Sequence, residues 1–134
     1  MTACGEVPGG AVELSWSLES PTGGRVSCET AGVGRVKLWW KIGATTRYES
    51  WPCDVASAVT RYSVSPGEVL LWVEPECIDG SIPSTDTYEA PAPLLRTLEA
   101  GDVVTLNGVL ITVQYDCKKY NPCLCPAMAR RSTE

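Results

Sequence analysis

The sequence predicts an all-β protein: an antiparallel β-sandwich of about seven strands that is cross-linked by disulfides. Apolar and polar residues alternate with a period of two in several segments, as they do in half-buried strands. Turns that contain Gly and Pro separate these segments at spacings of roughly 8 to 14 residues. The 134 residues include seven cysteines, and a chain of this length is expected to fold as one domain.

The clearest strand is the segment AVELSWSLES, which a PTGG turn ends. Its apolar positions share one face, opposite the Glu and Ser residues: Val12, Leu14, Trp16 and Leu18. The segment GRVKLWWKIG alternates in the same way, which leaves Trp39 on the polar face. Between these strands, Ser27 or Glu29 is expected to start a single helical turn that Gly32 closes.

The later strands follow from their turns and breakers. TTRYESWPC is predicted to be a strand that ends at Pro52 and Cys53, and AVTRYSV a shorter one. EVLLWVEPEC is apolar on both faces, which predicts a central strand. In the last apolar segment we prefer a turn at Gly101 and one long strand with a bulge near Asn107 and Gly108, although Asn-Gly is also a hairpin signal.

The composition argues against several classes of function. The chain has no histidine, which removes the usual general base and the commonest metal ligand. Its net charge of −5 disfavours nucleic acid, which binds clustered Lys and Arg. No apolar run reaches the roughly 18 residues that a membrane-spanning helix needs. We therefore expect no enzyme activity, no cofactor, no metal and no nucleic-acid partner.

The cysteine count predicts disulfides and an oxidising compartment. With Cys4 set aside, three bridges would use the remaining cysteines: Cys28, Cys53, Cys77, Cys117, Cys123 and Cys125. We expect Cys28 to pair with Cys53, because both lie at strand ends near the Trp-rich segment. Cys77 is expected to pair with a cysteine of the tail. Cys123 and Cys125 should have different partners, because a bridge between them would close a very small ring.

A metal site is the alternative use of the tail DCKKYNPCLC. Its three cysteines would supply thiolates to zinc or an iron–sulfur cluster, with Cys77 or Cys53 as the fourth ligand. The tail lacks the C-x-x-C pairs that structural zinc sites favour, so disulfides are preferred. The acidic loop ECIDGSIPSTDTYE also lacks the regular carboxylate spacing of a calcium site, and its charges are interpreted as solvated.

The first residues, MTAC followed by Gly, resemble the end of the lipobox of bacterial lipoproteins. Thr2, Ala3 and Cys4 match its last three positions, and Met1 stands where Leu is usual. The resemblance implies a signal peptide that ends before Cys4, and a lipid on Cys4 that anchors the protein in the membrane. GEVPGG would then be a flexible tether. The alternative is a true start at Met1, as in a virion protein.

The order of the segments from residue 11 to residue 115 resembles the prealbumin-like, carboxypeptidase-regulatory-like (Ig-like) sandwich domains. Pro66 and Gly67 form the turn before the strand that carries Leu70 and Trp72, and the closing strand follows Gly101. The resemblance implies a non-catalytic module with an adhesive, structural or carbohydrate-facing role, of a kind found in bacterial surface lipoproteins. The six cysteines depart from the usual pattern of the family.

An aromatic concentration supplies the candidate binding residues: Trp39, Trp40, Tyr48 and Trp51. Exposed rings stack on sugar faces or anchor protein partners. Adjacent residues of a strand point to opposite faces, so one of the two neighbouring tryptophans must lie on the face away from the core. We therefore expect a protein or carbohydrate partner to bind at these rings.

The expected organisation has three parts. Residues 1–10 are a lipobox remnant and tether, 11–116 the sandwich domain, and 117–134 a cysteine-containing appendix and tail. The expected function is non-enzymatic binding or surface architecture in an extracytoplasmic lipoprotein, anchored through Cys4 at the outer membrane or cell surface. The alternatives are a virion structural or decoration protein and a metal- or iron–sulfur-binding accessory protein.

Overall fold

The computed structural model describes residues 9–125 and consists mainly of two β-sheets that share one apolar core. The strands are β1 (Ala11–Glu19), β2 (Arg25–Val26), β3 (Val33–Ile42), β4 (Thr45–Pro52), β5 (Ser57–Val59), β6 (Gly67–Cys77), β7 (Tyr88–Glu89), β8 (Leu94–Leu98) and β9 (Val103–Val113). A four-residue helix, α1 (Cys28–Ala31), and two short 3-10 turns, Cys53–Val55 and Thr85–Thr87, lie between them. The predicted all-β sandwich is confirmed.

The first sheet has the order β2-β1-β9-β7, with β5 also paired to β1, and the second has the order β4-β3-β6-β8. The predicted central position of the strand EVLLWVEPEC is confirmed, because β6 lies between β3 and β8. Every strand pair in the described part of the chain is antiparallel except β1 with β9, which is parallel. The purely antiparallel prediction missed this pair because turn signals describe only strands that are consecutive in the chain.

The core lies between the sheets and contains the residues that the alternation selected. From β1 it takes Val12, Leu14, Trp16 and Leu18, and from β3 it takes Val36, Leu38 and Trp40. All seven side chains are buried. The period of two was sufficient to predict these faces because burial of one face of a strand fixes the orientation of every second residue.

Strand β9 contains the predicted bulge. Leu14 and Trp16 of β1 lie opposite Leu106 and Val109 of β9, so β9 has one extra residue at Asn107–Gly108. Gly108 adopts a positive φ of 63°, and its N–H donates to the Ser15 hydroxyl over 3.0 Å. The bulge restores the phase of the strand, so that both Leu106 and Val109 are buried.

The predicted helical turn between the first strands is also present as α1. The hydroxyl of Ser27 accepts a hydrogen bond from the Thr30 N–H over 3.0 Å, which caps the N-terminus. Gly32 ends the helix in the left-handed conformation with a φ of 76°. A residue with a Cβ is disfavoured there, which explains the glycine.

Three disulfides join the six cysteines of residues 9–125. Cys28 pairs with Cys53, Cys77 with Cys125 and Cys117 with Cys123, at Cα–Cα distances of 5.9, 6.0 and 5.0 Å. Cys28 therefore has the expected partner, Cys77 pairs with a tail cysteine, and Cys123 and Cys125 have different partners. The pairing uses every cysteine that the metal-site alternative required as a thiolate.

Residues just outside the predicted domain 11–116 also contact the sandwich. The Gly10 N–H donates to the Val64 carbonyl over 2.9 Å, and Gly9 accepts from the Gly101 N–H over 3.1 Å, so both glycines belong to the sandwich. Leu124, in the expected appendix, is buried in the core, where the Cys77–Cys125 disulfide holds its segment. The proposed lipidation site Cys4 lies outside the described residues.

Candidate functional site

Three aromatic residues form a row across the outer face of the second sheet. Tyr48 on β4 lies opposite Trp39 on β3, and Trp39 lies opposite Trp72 on β6. Directly opposite residues of paired strands point to the same face. Because the neighbour Trp40 is buried in the core, Trp39 and its partners point away from the core. We call Tyr48, Trp39 and Trp72 the aromatic row.

The rings of the aromatic row contact one another. The ring centroids of Trp39 and Tyr48 are 4.6 Å apart, with an angle of 39° between the planes. The centroids of Trp39 and Trp72 are 6.0 Å apart, and their planes are within 5° of parallel. Both distances are in the range of favourable aromatic pairs. Tyr48 is 49% exposed, and the two tryptophans are half-buried, so the row forms part of the protein surface.

A lysine packs along this row. Lys37 precedes Trp39 by two residues on β3 and shares its face, and its Nζ lies 5.0 Å from the Tyr48 ring centroid and 5.9 Å from that of Trp39. The same Nζ is 3.1 Å from Oε1 of Glu76. Lys37 is buried although it lies on the outer face, with its ammonium beside the rings and paired to Glu76. The aromatic row is therefore flanked, along β3 and β6, by an ion pair.

The indole N–H of Trp39 is the buried side-chain polar group of residues 9–125 that has no hydrogen-bond partner. A buried donor without a partner loses its hydration and gains nothing in return. The ring nevertheless stays between Tyr48 and Trp72.

The four sequence-derived binding residues divide between the two faces of the sheet. Trp39 and Tyr48 lie in the aromatic row, but Trp40 is buried in the core. Trp51 lies opposite Val36 on the core side and stacks on Trp16, with ring centroids 6.3 Å apart. Trp72 was missed. Trp72 is part of the second apolar face of EVLLWVEPEC. That second apolar face was interpreted only as evidence for a central strand.

Among residues 9–125 no three His, Cys, Asp or Glu side chains lie close enough to hold a metal ion. In the acidic loop, the Asp79 carboxylate accepts bonds from the N–H and the hydroxyl of Ser81, which organises the turn. Burial raises the pKa of Tyr88, and the negative charge of Glu74 raises it further.

Comparison with known proteins adds no family to this description. No protein-family model matches the chain, and no curated protein matches it. In the described part of the chain, no helix is long and apolar enough to cross a membrane.

Proposed function

We propose that the chain is a non-enzymatic, extracytoplasmic domain for binding or cell-surface architecture, and that the aromatic row is its contact surface. The observation that carries the proposal is the exposure of contacting aromatic rings on the outer face of a sheet. Large aromatic side chains on a surface are typical of recognition sites, where they supply apolar area with little conformational freedom to lose. Tyr48, at the edge of the row, is the most accessible of the three.

The disulfides support an extracytoplasmic location. Three bridges in a domain of this size are typical of proteins that fold in an oxidising compartment. Of the seven cysteines, Cys4 alone takes no part in these bridges. A lipid on Cys4, as the lipobox resemblance implies, would give this odd cysteine a role and would attach the domain to the outer membrane or cell surface.

Carbohydrate is the partner class that we propose for the aromatic row. Sugar rings offer C–H groups to aromatic surfaces and hydroxyls to charged side chains. The row supplies the aromatic surface, and the half-buried Glu74 and Glu76 supply carboxylates on the same face of β6. A protein partner would instead be expected to seek a pocket for its anchor residues, as at most binding hot spots.

Paired tyrosine variants test this assignment. Tyr48 is 49% exposed within the row, and Tyr62 is 40% exposed outside it, so Tyr48→Ser and Tyr62→Ser remove similar surface rings. The probes are peptidoglycan sacculi, chitin and cellulose in sedimentation assays, and soluble polysaccharides in titrations of tryptophan fluorescence. We expect Tyr48→Ser to weaken binding by about fivefold, because one aromatic contact contributes about 1 kcal/mol.

Two results would count against the proposal. Equal weakening by Tyr62→Ser would show that binding does not depend on the aromatic row. Binding to none of the polysaccharides would remove carbohydrate as the partner class. Anchoring is tested separately in cells that carry the full gene: lipid on Cys4 should keep the wild-type protein in the membrane fraction, and Cys4→Ser should release it.

A further inference from the structure

We infer that the free edge of β9 binds an extended peptide of a partner protein, which adds to the first sheet as a strand. Strand β9 has 11 residues, and one of its edges pairs with β1 from Val103 to Thr112. On the other edge, only Thr112 and Val113 pair with a strand, β7. Within residues 9–125, no strand pairs with that edge between Val103 and Ile111.

This edge lacks most of the features that protect exposed strands from pairing. Natural edge strands are usually short or carry charged residues or proline. Strand β9 is long and contains no charged residue and no proline. Its side chains Val103 and Leu110 are exposed, and the bulge at Asn107–Gly108 is its one irregularity. The backbone groups along this edge are therefore open to an added strand.

The short partner β7 shows that this edge accepts an antiparallel strand. Tyr88 lies opposite Val113 and Glu89 opposite Thr112. If β7 continued in this register, Pro91 would lie opposite Leu110. Proline has no N–H to donate to a strand pair, so β7 cannot be extended this far as a regular strand. The chain instead leaves the first sheet and enters β8 of the second sheet at Leu94. A separate peptide is free of this restriction and can pair along the rest of β9.

A cleft beside the edge indicates what such a peptide must carry. The cleft has a volume of about 210 Å³ and lies between the two sheets, where Leu71, Leu106 and Val109 line it. These three side chains are buried core residues, so its floor is apolar. Its volume is below the roughly 300–1,000 Å³ of sites for drug-sized ligands. It therefore suits one apolar side chain of a strand rather than a whole cofactor.

The rim of the cleft adds a charge requirement. Arg96 on β8 lines the cleft and is exposed. Its guanidinium donates to the neighbouring Leu95 carbonyl over 3.1 Å and has no carboxylate partner among residues 9–125. An acidic residue of the peptide would complement this charge. The expected ligand is therefore an extended segment with one large apolar residue and one Asp or Glu.

A second copy of this chain fits the edge less well than a partner peptide. If β9 of another molecule paired with this edge, it would bring no acidic residue to Arg96. Its inward side chains, Leu106 and Val109, are already buried in their own core and cannot enter the cleft. The cleft would then stay unfilled. We therefore assign the edge to a different protein.

Selection from a phage-displayed library of random decapeptides tests the inference on the full chain. We expect enrichment of proline-free peptides that contain a large apolar residue and an acidic residue. Binding of the selected synthetic peptide should fall about tenfold with Arg96→Glu, through loss of a charge-assisted bond. As a control, Arg25→Glu makes the same charge change at an exposed residue of β2 and should leave binding unchanged. Ala92→Trp, which places a large ring at the cleft, should also weaken it.

Strand addition is tested directly with a chemically matched peptide. N-methylation of alternate backbone amides keeps the side chains but removes the ladder hydrogen bonds, so it should abolish binding. The bound peptide should also slow amide hydrogen exchange between Val103 and Ile111. Failure to enrich any peptide, unchanged binding after N-methylation, or sedimentation that shows dimers formed through β9 would each overturn the inference. Tyr48→Ser should not affect peptide binding, which separates this edge from the aromatic row.

Discussion

The indole N–H of Trp16 donates a buried hydrogen bond to the backbone carbonyl of Cys53 over 2.8 Å. Trp16 lies on β1 of the first sheet, and Cys53 follows β4 of the second sheet, so this bond joins the two layers. Cys53 is also held by its disulfide to Cys28. The same carbonyl accepts a second, longer bond of 3.3 Å from the Ala56 N–H, so the indole supplies the shorter of its two hydrogen bonds.

The two indoles Trp16 and Trp39 should therefore respond differently to the same substitution. Trp16→Phe removes the shorter of two hydrogen bonds to the buried Cys53 carbonyl, whereas Trp39→Phe removes an N–H that has no partner among residues 9–125. We expect Trp16→Phe to be the more destabilising change by about 1 kcal/mol, the net contribution of one hydrogen bond. Urea unfolding followed by circular dichroism measures both free energies. Equal losses would mean that the hydrogen bond to Cys53 adds no stability.

The disulfides should contribute unequally to stability because they close loops of different length. Cys77 and Cys125 are 48 residues apart, and Cys117 and Cys123 are 6 apart. Chain entropy predicts losses of about 4 kcal/mol for Cys77→Ala with Cys125→Ala, and about 2 kcal/mol for Cys117→Ala with Cys123→Ala. Guanidinium unfolding of the two double variants checks the order. A larger loss for the shorter loop would show that native packing around the bridges dominates.

The Lys37–Glu76 pair should be sensitive to which partner is removed. The Lys37 side chain is 10% exposed and that of Glu76 is 19% exposed. Glu76→Gln leaves a largely buried ammonium without its carboxylate, whereas Lys37→Met leaves a better hydrated carboxylate and keeps an apolar stem against the rings. We expect Glu76→Gln to destabilise more than Lys37→Met, by about 2 kcal/mol. Thermal unfolding at low and high salt measures this, and the reverse order would contradict it.

Tyr88 should make the protein less stable at high pH. Burial and the charge of Glu74 raise the pKa of Tyr88, so the folded protein holds this proton more tightly than the unfolded chain. Stability from this group is fully present below the unfolded pKa of about 10 and falls as the pH rises above it. The difference in unfolding free energy between wild type and Tyr88→Phe should therefore shrink or reverse between neutral pH and pH values above about 10. Urea unfolding with Cys4 alkylated measures it, and a constant difference would contradict the prediction.

Local patterns predicted the elements whose determinants are close in sequence. The alternation around Leu14 and Trp16 determined which face of β1 is buried, because a strand repeats every two residues. Ser27 and Gly32 set the ends of α1 through their capping preferences. The Asn107–Gly108 bulge followed from the need to keep apolar residues in phase on both sides of it. Each of these features depends on a few neighbouring residues.

Placement of distant segments required the tertiary structure. The aromatic row depends on the register of three strands, which brings Tyr48 and Trp72 to either side of Trp39. The same packing turned Trp51 toward Trp16 instead of the surface. These neighbours are chosen by burial and pairing across the whole chain, and no local period encodes them.

The sequence by itself determined the strand faces, the number of cysteines and the absence of histidine. Only the tertiary structure decided that β1 and β9 pair in parallel, that Leu124 joins the core, and that β9 keeps an open edge beside a cleft. The physical reason is the range of the interactions: side-chain alternation acts between neighbouring residues, whereas sheet order reflects competition among all strands for the same core.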